Sequence, residues 1–172
     1  MSLVKLDFSK IDGHYLIMMV PSLPSNFRYL TVTNFSSGAY WTGYPEPPVM
    51  FFTIFGVRLI DLGDSYFALE STDEGVKTFL SVDTNNAGYI RATSSTITKK
   101  EKFAIFAKSE DIENNRFYLY SATGKFVTMV ERVDEFGDTI YEAAAISEIP
   151  DSRGQFRLYA VVDSNNGRFM KL

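Results

Sequence analysis

The strongest constraint on the fold is a set of four short sequence runs that recurs three times along the chain. Each run is rich in aromatic and β-branched residues and is bounded by Gly, Asn, Asp, Ser or Pro, the pattern of strands joined by turns. The interval between copies is about 50 residues, in the range where internal repeats set the architecture. The matched runs are 15–17, 67–69 and 117–119; 29–32, 79–82 and 126–129; 40–42, 90–92 and 140–142; and 52–55, 103–106 and 156–159. Three repeats of four strands are therefore predicted.

Composition narrows the function classes. The chain has 172 residues, no cysteine and a single histidine, which excludes disulfide scaffolds, thiolate zinc sites and cysteine nucleophiles. The net charge of −4 disfavours sequence-independent nucleic-acid binding, which depends on Lys and Arg neutralising phosphates. Neither His14 nor the loop carboxylates form a catalytic or metal-binding motif, so we expect no enzyme activity, cofactor or metal.

The sequence also predicts where the chain acts. It lacks an N-terminal signal-like apolar run and any 18-residue apolar stretch, so we expect a cytoplasmic protein that does not insert into membranes. Release from the cell without a signal is the alternative. The length fits a single domain spanning 1–172. The expected repeats are 13–62, 63–112 and 113–162. The alternating ends, 3–8 and 168–172, are expected to pair with each other or to extend neighbouring strands.

The middle repeat resembles the β-trefoil superfamily. Its runs 77–82, 88–92 and 101–106 are similar to repeats of the fascin-like and ricin-like trefoils, and the cysteine-free composition resembles that of fungal β-trefoil lectins. The resemblance covers roughly residues 13–162. It implies an all-β fold with six strands in a closed barrel and six in hairpins that cap one end. The Gln-x-Trp signature of ricin-type lectins is absent, so the sugar-binding residues of that family are not carried over.

Strand alternation leads to a predicted binding site. Tyr40, Ile90 and Ile140 take one equivalent apolar position and are expected to face the core, which would point Trp41, Arg91 and Tyr141 outward. Polar loops precede these positions, and an aromatic platform with amide, carboxylate or hydroxyl partners suits a sugar. The predicted carbohydrate-binding residues are Asn34, Trp41, Tyr44, Asp83, Asn85, Asn86, Arg91, Asp134 and Tyr141. The alternative is that the loops are ordinary hairpin turns, which demand the same residue types.

These features predict a non-catalytic lectin that binds galactose- or N-acetylgalactosamine-type glycans, or glycoproteins carrying them, at up to three shallow sites; a homodimer is compatible with this. One alternative is a cysteine or serine protease inhibitor that acts through the proline-stiffened loop 44–48. A second is a fascin-like actin-binding module that uses the basic run 98–102. Fold alone does not choose among these classes.

Overall fold

The described residues of the computed structural model, 2–35, 38–47, 56–73, 75–163 and 168–171, form fourteen β-strands and no α-helix. Four single-turn 3₁₀ segments lie between strands, at Ser9–Ile11, Lys99–Glu101, Ser109–Asp111 and Ser152–Gly154. The prediction of an all-β chain is confirmed. The strands are β1 Leu3–Leu6, β2 Tyr15–Met19, β3 Tyr29–Phe35, β4 Gly38–Tyr44, β5 Val57–Gly63, β6 Tyr66–Asp73, β7 Val76–Asp83, β8 Tyr89–Ser94, β9 Phe103–Lys108, β10 Phe117–Ser121, β11 Lys125–Val133, β12 Thr139–Ser147, β13 Gln155–Asp163 and β14 Arg168–Lys171.

Six strands close into a ring. β2 pairs with β5, β5 with β6, β6 with β9, β9 with β10, β10 with β13, and β13 returns to β2. Three buried pairs mark equivalent places around this ring: Leu16 with Val57, Phe67 with Phe103, and Phe117 with Phe156. Closure leaves these strands without an unpaired edge, which protects them from pairing with other chains.

Three hairpins cover one end of the ring. They are β3–β4, β7–β8 and β11–β12. Their second strands also meet one another, through the pairs Tyr40 with Arg91, Thr42 with Glu142, and Tyr89 with Ala144. The three second strands therefore form a triangular cap, in which side chains from all three hairpins come together.

The predicted run at 52–55 lies outside the described residues, so the arrangement of three times four strands stays a prediction. The pairing of β2 with β5 in the first third of the chain corresponds to the pairing of β6 with β9 in the second third and of β10 with β13 in the last third. The terminal strands extend neighbours, since β1 pairs with β9 and β14 with β13.

The core is a single large cluster of aliphatic and aromatic side chains inside the ring and beneath the cap. Phe103, Phe117, Ile105 and Leu158 are among its completely buried members. Burying each side chain of this size stabilises the fold by about 1.5–3 kcal/mol. Because the chain has no disulfide, this apolar burial and the closure of the ring hold the sheet together.

Candidate functional site

The cap strands have a different register from the one that the sequence repeat predicts. Trp41 lies opposite Val32, as Ile90 lies opposite Val82. The matching position in β12 is Ala143, opposite Met129. The paired positions are 9, 8 and 14 residues apart along the chain (41 − 32, 90 − 82 and 143 − 129), so a constant spacing of 50 residues selects the wrong neighbour in β4 and β12. A slip of one residue exchanges the two faces of a strand.

Trp41 is therefore inside the protein, and its predicted outward orientation is wrong. Its side chain is 0% exposed and belongs to the main core cluster. Tyr40, expected in that core, is buried at 5% exposure but lies outside the main cluster, on the opposite face of β4, where its ring centroid is 5.0 Å from that of Phe35. A completely buried indole cannot serve as a platform for a sugar in this conformation.

Tyr141 is also turned inward, contrary to the prediction. Its side chain is 9% exposed, and its ring centroid lies 5.0 Å from that of Phe27. Ile140, which was expected to face the core in its place, is only half-buried. The outward orientation predicted for Arg91 does hold, since Ile90 is buried in the core and Arg91 lies on the opposite face of β8.

The polar loops chosen from the sequence are built as hairpin turns. Asp83 accepts the backbone N–H of Asn85 at 3.1 Å through its side chain and that of Asn86 through its carbonyl. Asp134 accepts two backbone N–H groups with one oxygen, from Phe136 and Asp138, both at 2.9 Å. These are Asx turns, in which the carboxylate satisfies backbone donors of its own loop.

Arg91 belongs to a charged cluster on the outer face of the cap. Its Nε donates to Oε1 of Glu142 at 3.4 Å, while Nε of Arg132 donates to Oε2 of the same carboxylate at 2.6 Å. The Glu142 side chain is completely buried, and the two arginine side chains above it are 16% and 25% exposed. One carboxylate is thus shared between two arginines whose side chains are partly exposed.

Two tyrosine rings support this cluster. The guanidinium carbon of Arg91 lies 4.2 Å from the ring centroid of Tyr40 and 5.5 Å from that of Tyr89. The corresponding distances for Arg132 are 5.0 and 5.5 Å. A guanidinium over an aromatic face is attracted by the ring quadrupole. Burial raises the pKa of Glu142, and the two arginines oppose that rise.

Asn34 lines a separate groove between the first two hairpins. The groove has a volume of about 230 Å³ and is open to solvent at the exposed side chains of Asn34 and Val76. Its walls combine one amide, two hydroxyls and apolar groups. The lining residues are Val32, Asn34, Ala39, Ser71, Val76, Thr78 and Ala92.

The predicted inhibitor loop is exposed at its start. Tyr44 ends β4 with half of its side chain exposed, and Pro45 and Glu46 follow it on the surface. Position 48 lies outside the described residues. Tyr44 does not line the groove that contains Asn34.

The basic run 98–102 has a structural role in the fold. Thr98 and Glu101 form a reciprocal capping box around the Lys99–Glu101 turn, with the Thr98 backbone N–H donating to Glu101 at 2.8 Å. Glu101 is buried and also accepts from the hydroxyl of Ser81. Lys99 and Lys100 are exposed on this turn. The predicted actin-binding role remains a prediction.

The remaining catalytic and metal candidates stay apart. His14 is half-buried, and its Nδ1 lies 3.4 Å from the backbone oxygen of Asp12. Within the described ranges, no group of three or more His, Cys, Asp or Glu side chains is placed to hold a metal ion. No helix in that part of the chain is long and apolar enough to cross a bilayer.

Sequence reasoning did not select Arg132 and Glu142. The sequence does carry a signal for Glu142, because it is the one charged residue in β12 and is followed directly by three alanines. Acidic residues are almost never fully buried unless they are paired. Its partners could not be identified from the sequence, since Arg132 lies 10 residues and Arg91 51 residues away along the chain.

The chain matches no family model and no curated protein. Solved structures do resemble it. A designed threefold-symmetric protein, ThreeFoil, is 19% identical with a TM-score of 0.59, covering 84% of this chain and 96% of that one. The SDF2-like protein of Arabidopsis thaliana is 10% identical with a TM-score of 0.58, covering 86% and 92%.

A lectin is among these structures. The Polyporus squamosus lectin, in complex with the epitope Neu5Acα2-6Galβ1-4GlcNAc, is 14% identical with a TM-score of 0.61. The match covers 87% of this chain and 50% of the lectin, so the chain spans about half of that protein. At these identities the likeness defines the fold alone. Together with the six-strand ring and its three capping hairpins, it establishes a β-trefoil and confirms the resemblance seen in the sequence.

Proposed function

We propose that this β-trefoil is a non-catalytic carbohydrate-binding protein whose principal site is the groove at Asn34. The groove itself carries the proposal. A sugar ring has an apolar C–H face and a rim of hydroxyls, and the groove offers apolar walls at Val32 and Val76 beside the amide of Asn34 and the hydroxyls of Ser71 and Thr78. The groove therefore offers an apolar surface for the C–H face of a sugar and hydrogen-bonding groups for its hydroxyls.

The size of the groove supports a small ligand. Pockets for drug-sized ligands span about 300–1,000 Å³, and this one measures about 230 Å³. It therefore fits one monosaccharide unit and leaves the rest of a glycan in solvent. Binding at such a shallow site is weak, and several sites on one glycan-coated surface would supply avidity.

The finer parts of the proposal come from the sequence. They are a single domain with three repeats, up to three sites, and a preference for galactose or N-acetylgalactosamine. The exposed amides of Asn85 and Asn86 are the proposed second contact region. The solved lectin that shares this fold was determined with a glycan containing galactose, which is compatible with the preference.

A glycan array followed by calorimetric titration of the best monosaccharide tests the function and the site together. Asn34→Ala and Thr78→Val each remove one hydrogen-bonding group from the groove, and each is expected to weaken binding about tenfold. Val76→Arg places a bulky side chain at its mouth and is expected to abolish binding. Asn114→Ala, at an exposed asparagine outside the groove, is the matched control.

The outcomes are distinct. An array without binding to any galactoside or N-acetylated sugar would overturn the carbohydrate function. Binding that all three groove variants retain would overturn the groove as its site and leave the function standing.

A protease inhibitor is the second candidate, favoured by the exposure of Tyr44, Pro45 and Glu46 at the end of β4. Proline restricts the backbone before binding, which lowers the entropic cost of entering a cleft. Inhibition of a papain-like or trypsin-like protease that is lost in Tyr44→Ala would support this function. Absence of inhibition at micromolar concentrations of the protein would exclude it.

A further inference from the structure

The cluster of Arg91, Arg132 and Glu142 contains two positive charges and one negative charge, and the described residues place no second carboxylate in an ion pair with either arginine. Arg91 and Arg132 share the single carboxylate of Glu142, which leaves this cluster with one net positive charge. The whole chain is acidic, with a net charge of −4. A local cationic site that persists against that background marks a place suited to an anion.

The two arginines are held in fixed positions. Both use Nε toward Glu142, and both guanidinium groups lie over the rings of Tyr40 and Tyr89. Because arginine has a planar fork of donors, fixing the Nε edge also fixes the direction of the two terminal nitrogens. A pair of oriented forks suits the two or more oxygens of an oxyanion.

One donor in the cluster has no partner. Nη2 of Arg132 is buried and makes no hydrogen bond with any part of the chain that the structure describes. Buried polar groups are normally satisfied, and each exception requires an explanation. Because Nη2 is itself closed to solvent, an oxyanion bound at the exposed part of the two arginine side chains would supply the missing bond only if the Arg132 side chain shifted toward it.

The cluster is also accessible. The side chains of Arg91 and Arg132 are 16% and 25% exposed, so an anion can approach them from solvent. The carboxylate of Glu142 lies beneath them and is shielded from such a ligand by the guanidinium groups.

We propose that Arg91 and Arg132 form an anion-binding site at the centre of the cap, which takes one oxyanion group such as a sulfate, phosphate or carboxylate. The site lies apart from the Asn34 groove and does not depend on the carbohydrate function proposed above. Its ligand is either a free inorganic anion or an acidic group carried by a sugar.

Thermal unfolding in the presence of sodium sulfate or sodium phosphate tests the site, with sodium chloride at matched ionic strength as the reference. Low millimolar concentrations are needed, because sulfate at high concentration stabilises most proteins by exclusion. At ten times the dissociation constant, the melting temperature is expected to rise by about 3–5 °C. The rise should saturate with concentration.

Variants locate the effect. Arg91→Gln and Arg132→Gln are each expected to remove the saturable rise, measured from the variant's own melting temperature so that a change in stability does not interfere. Arg153→Gln, at an exposed arginine of the Ser152–Gly154 turn, is the matched control and should keep it. Glu142→Gln removes the competing negative charge and is expected to tighten anion binding several-fold, an effect that a purely structural cluster would not show.

Glucuronic acid and glucose identify the source of the anion. Saturable binding of glucuronic acid but not glucose, lost in the arginine variants, assigns a sugar-borne carboxylate; a response to sulfate or phosphate alone assigns a free inorganic anion. A shift that does not saturate, or that is equal in all variants, would overturn the site. Galactoside binding that Arg132→Gln leaves unchanged separates this result from the groove.

Discussion

Arg132 donates through Nε to the completely buried Oε2 of Glu142 at 2.6 Å, which links the two strands of the third hairpin on the outer face of the cap. The other oxygen of Glu142 meets Arg91 of the second hairpin at 3.4 Å. The pair Thr42 with Glu142 places the same residue beside the first hairpin. Glu142 therefore touches all three hairpins, the second and third through its carboxylate and the first through the pairing of β12 with β4.

Replacing the Glu142 carboxylate should lower the stability of the fold, and the loss should be larger when the new side chain offers the two arginines no hydrogen-bond acceptor. Glu142→Gln keeps the shape and one acceptor, and we expect it to lower the free energy of unfolding by about 1–2 kcal/mol at pH 7. Glu142→Ala leaves both arginines without their acceptor, with an expected loss of about 3–5 kcal/mol. Urea denaturation measures both. Equal losses in the two variants would show that charge pairing has no part in the effect.

The same residue should make stability depend on pH. Burial raises the pKa of Glu142 in the folded state, so between the ordinary glutamate pKa of about 4.3 and the raised value the folded chain holds a proton that the unfolded chain has lost. Stability contributed by this group therefore falls as the pH rises through that window. The difference in unfolding free energy between wild type and Glu142→Gln should decrease from pH 4 upward and then level off. An increase over that range would contradict the raised pKa.

Trp41 should report on the core and not on a ligand. As the only tryptophan, completely buried, it is expected to give blue-shifted emission that acrylamide does not quench and galactosides do not change. Its Nε1 has no hydrogen-bond partner among the described residues, so Trp41→Phe loses no hydrogen bond and should cost only about 1–2 kcal/mol, against about 3–5 kcal/mol for Trp41→Ala. Emission that shifts on adding a sugar to the folded protein would disprove the buried position.

Gly88 should tolerate a side chain far less than Gly137. Both have positive φ, at 69° and 83°, so alanine strains the backbone at either position by about 1 kcal/mol. A Cβ on Gly88 would also lie 2.8 Å from the backbone oxygen of Ala145, whereas one on Gly137 meets nothing within 4 Å. Gly88→Ala is expected to lower the melting temperature by several degrees more than Gly137→Ala. Equal shifts would show that the β8–β12 contact adjusts freely.

Much of the fold follows from local sequence. The aromatic and β-branched runs around Phe67, Phe79 and Phe117 lie in strands, because alternation and bounding turn residues act over a few positions. Local sequence predicted less of the candidate site. Asn34 was identified and does line the groove, but its partners Ser71 and Thr78 come from the second third of the chain.

The sequence by itself determined that this chain is all β and that no disulfide supports its strands, since composition and short-range periodicity decide these properties. The tertiary structure decided which face each cap residue presents. Cross-strand register places Trp41 in the core and Tyr40 beside Arg91, and register depends on pairing between distant segments. The same pairing brings Arg91, Arg132 and Glu142 together, a contact that no local pattern specifies.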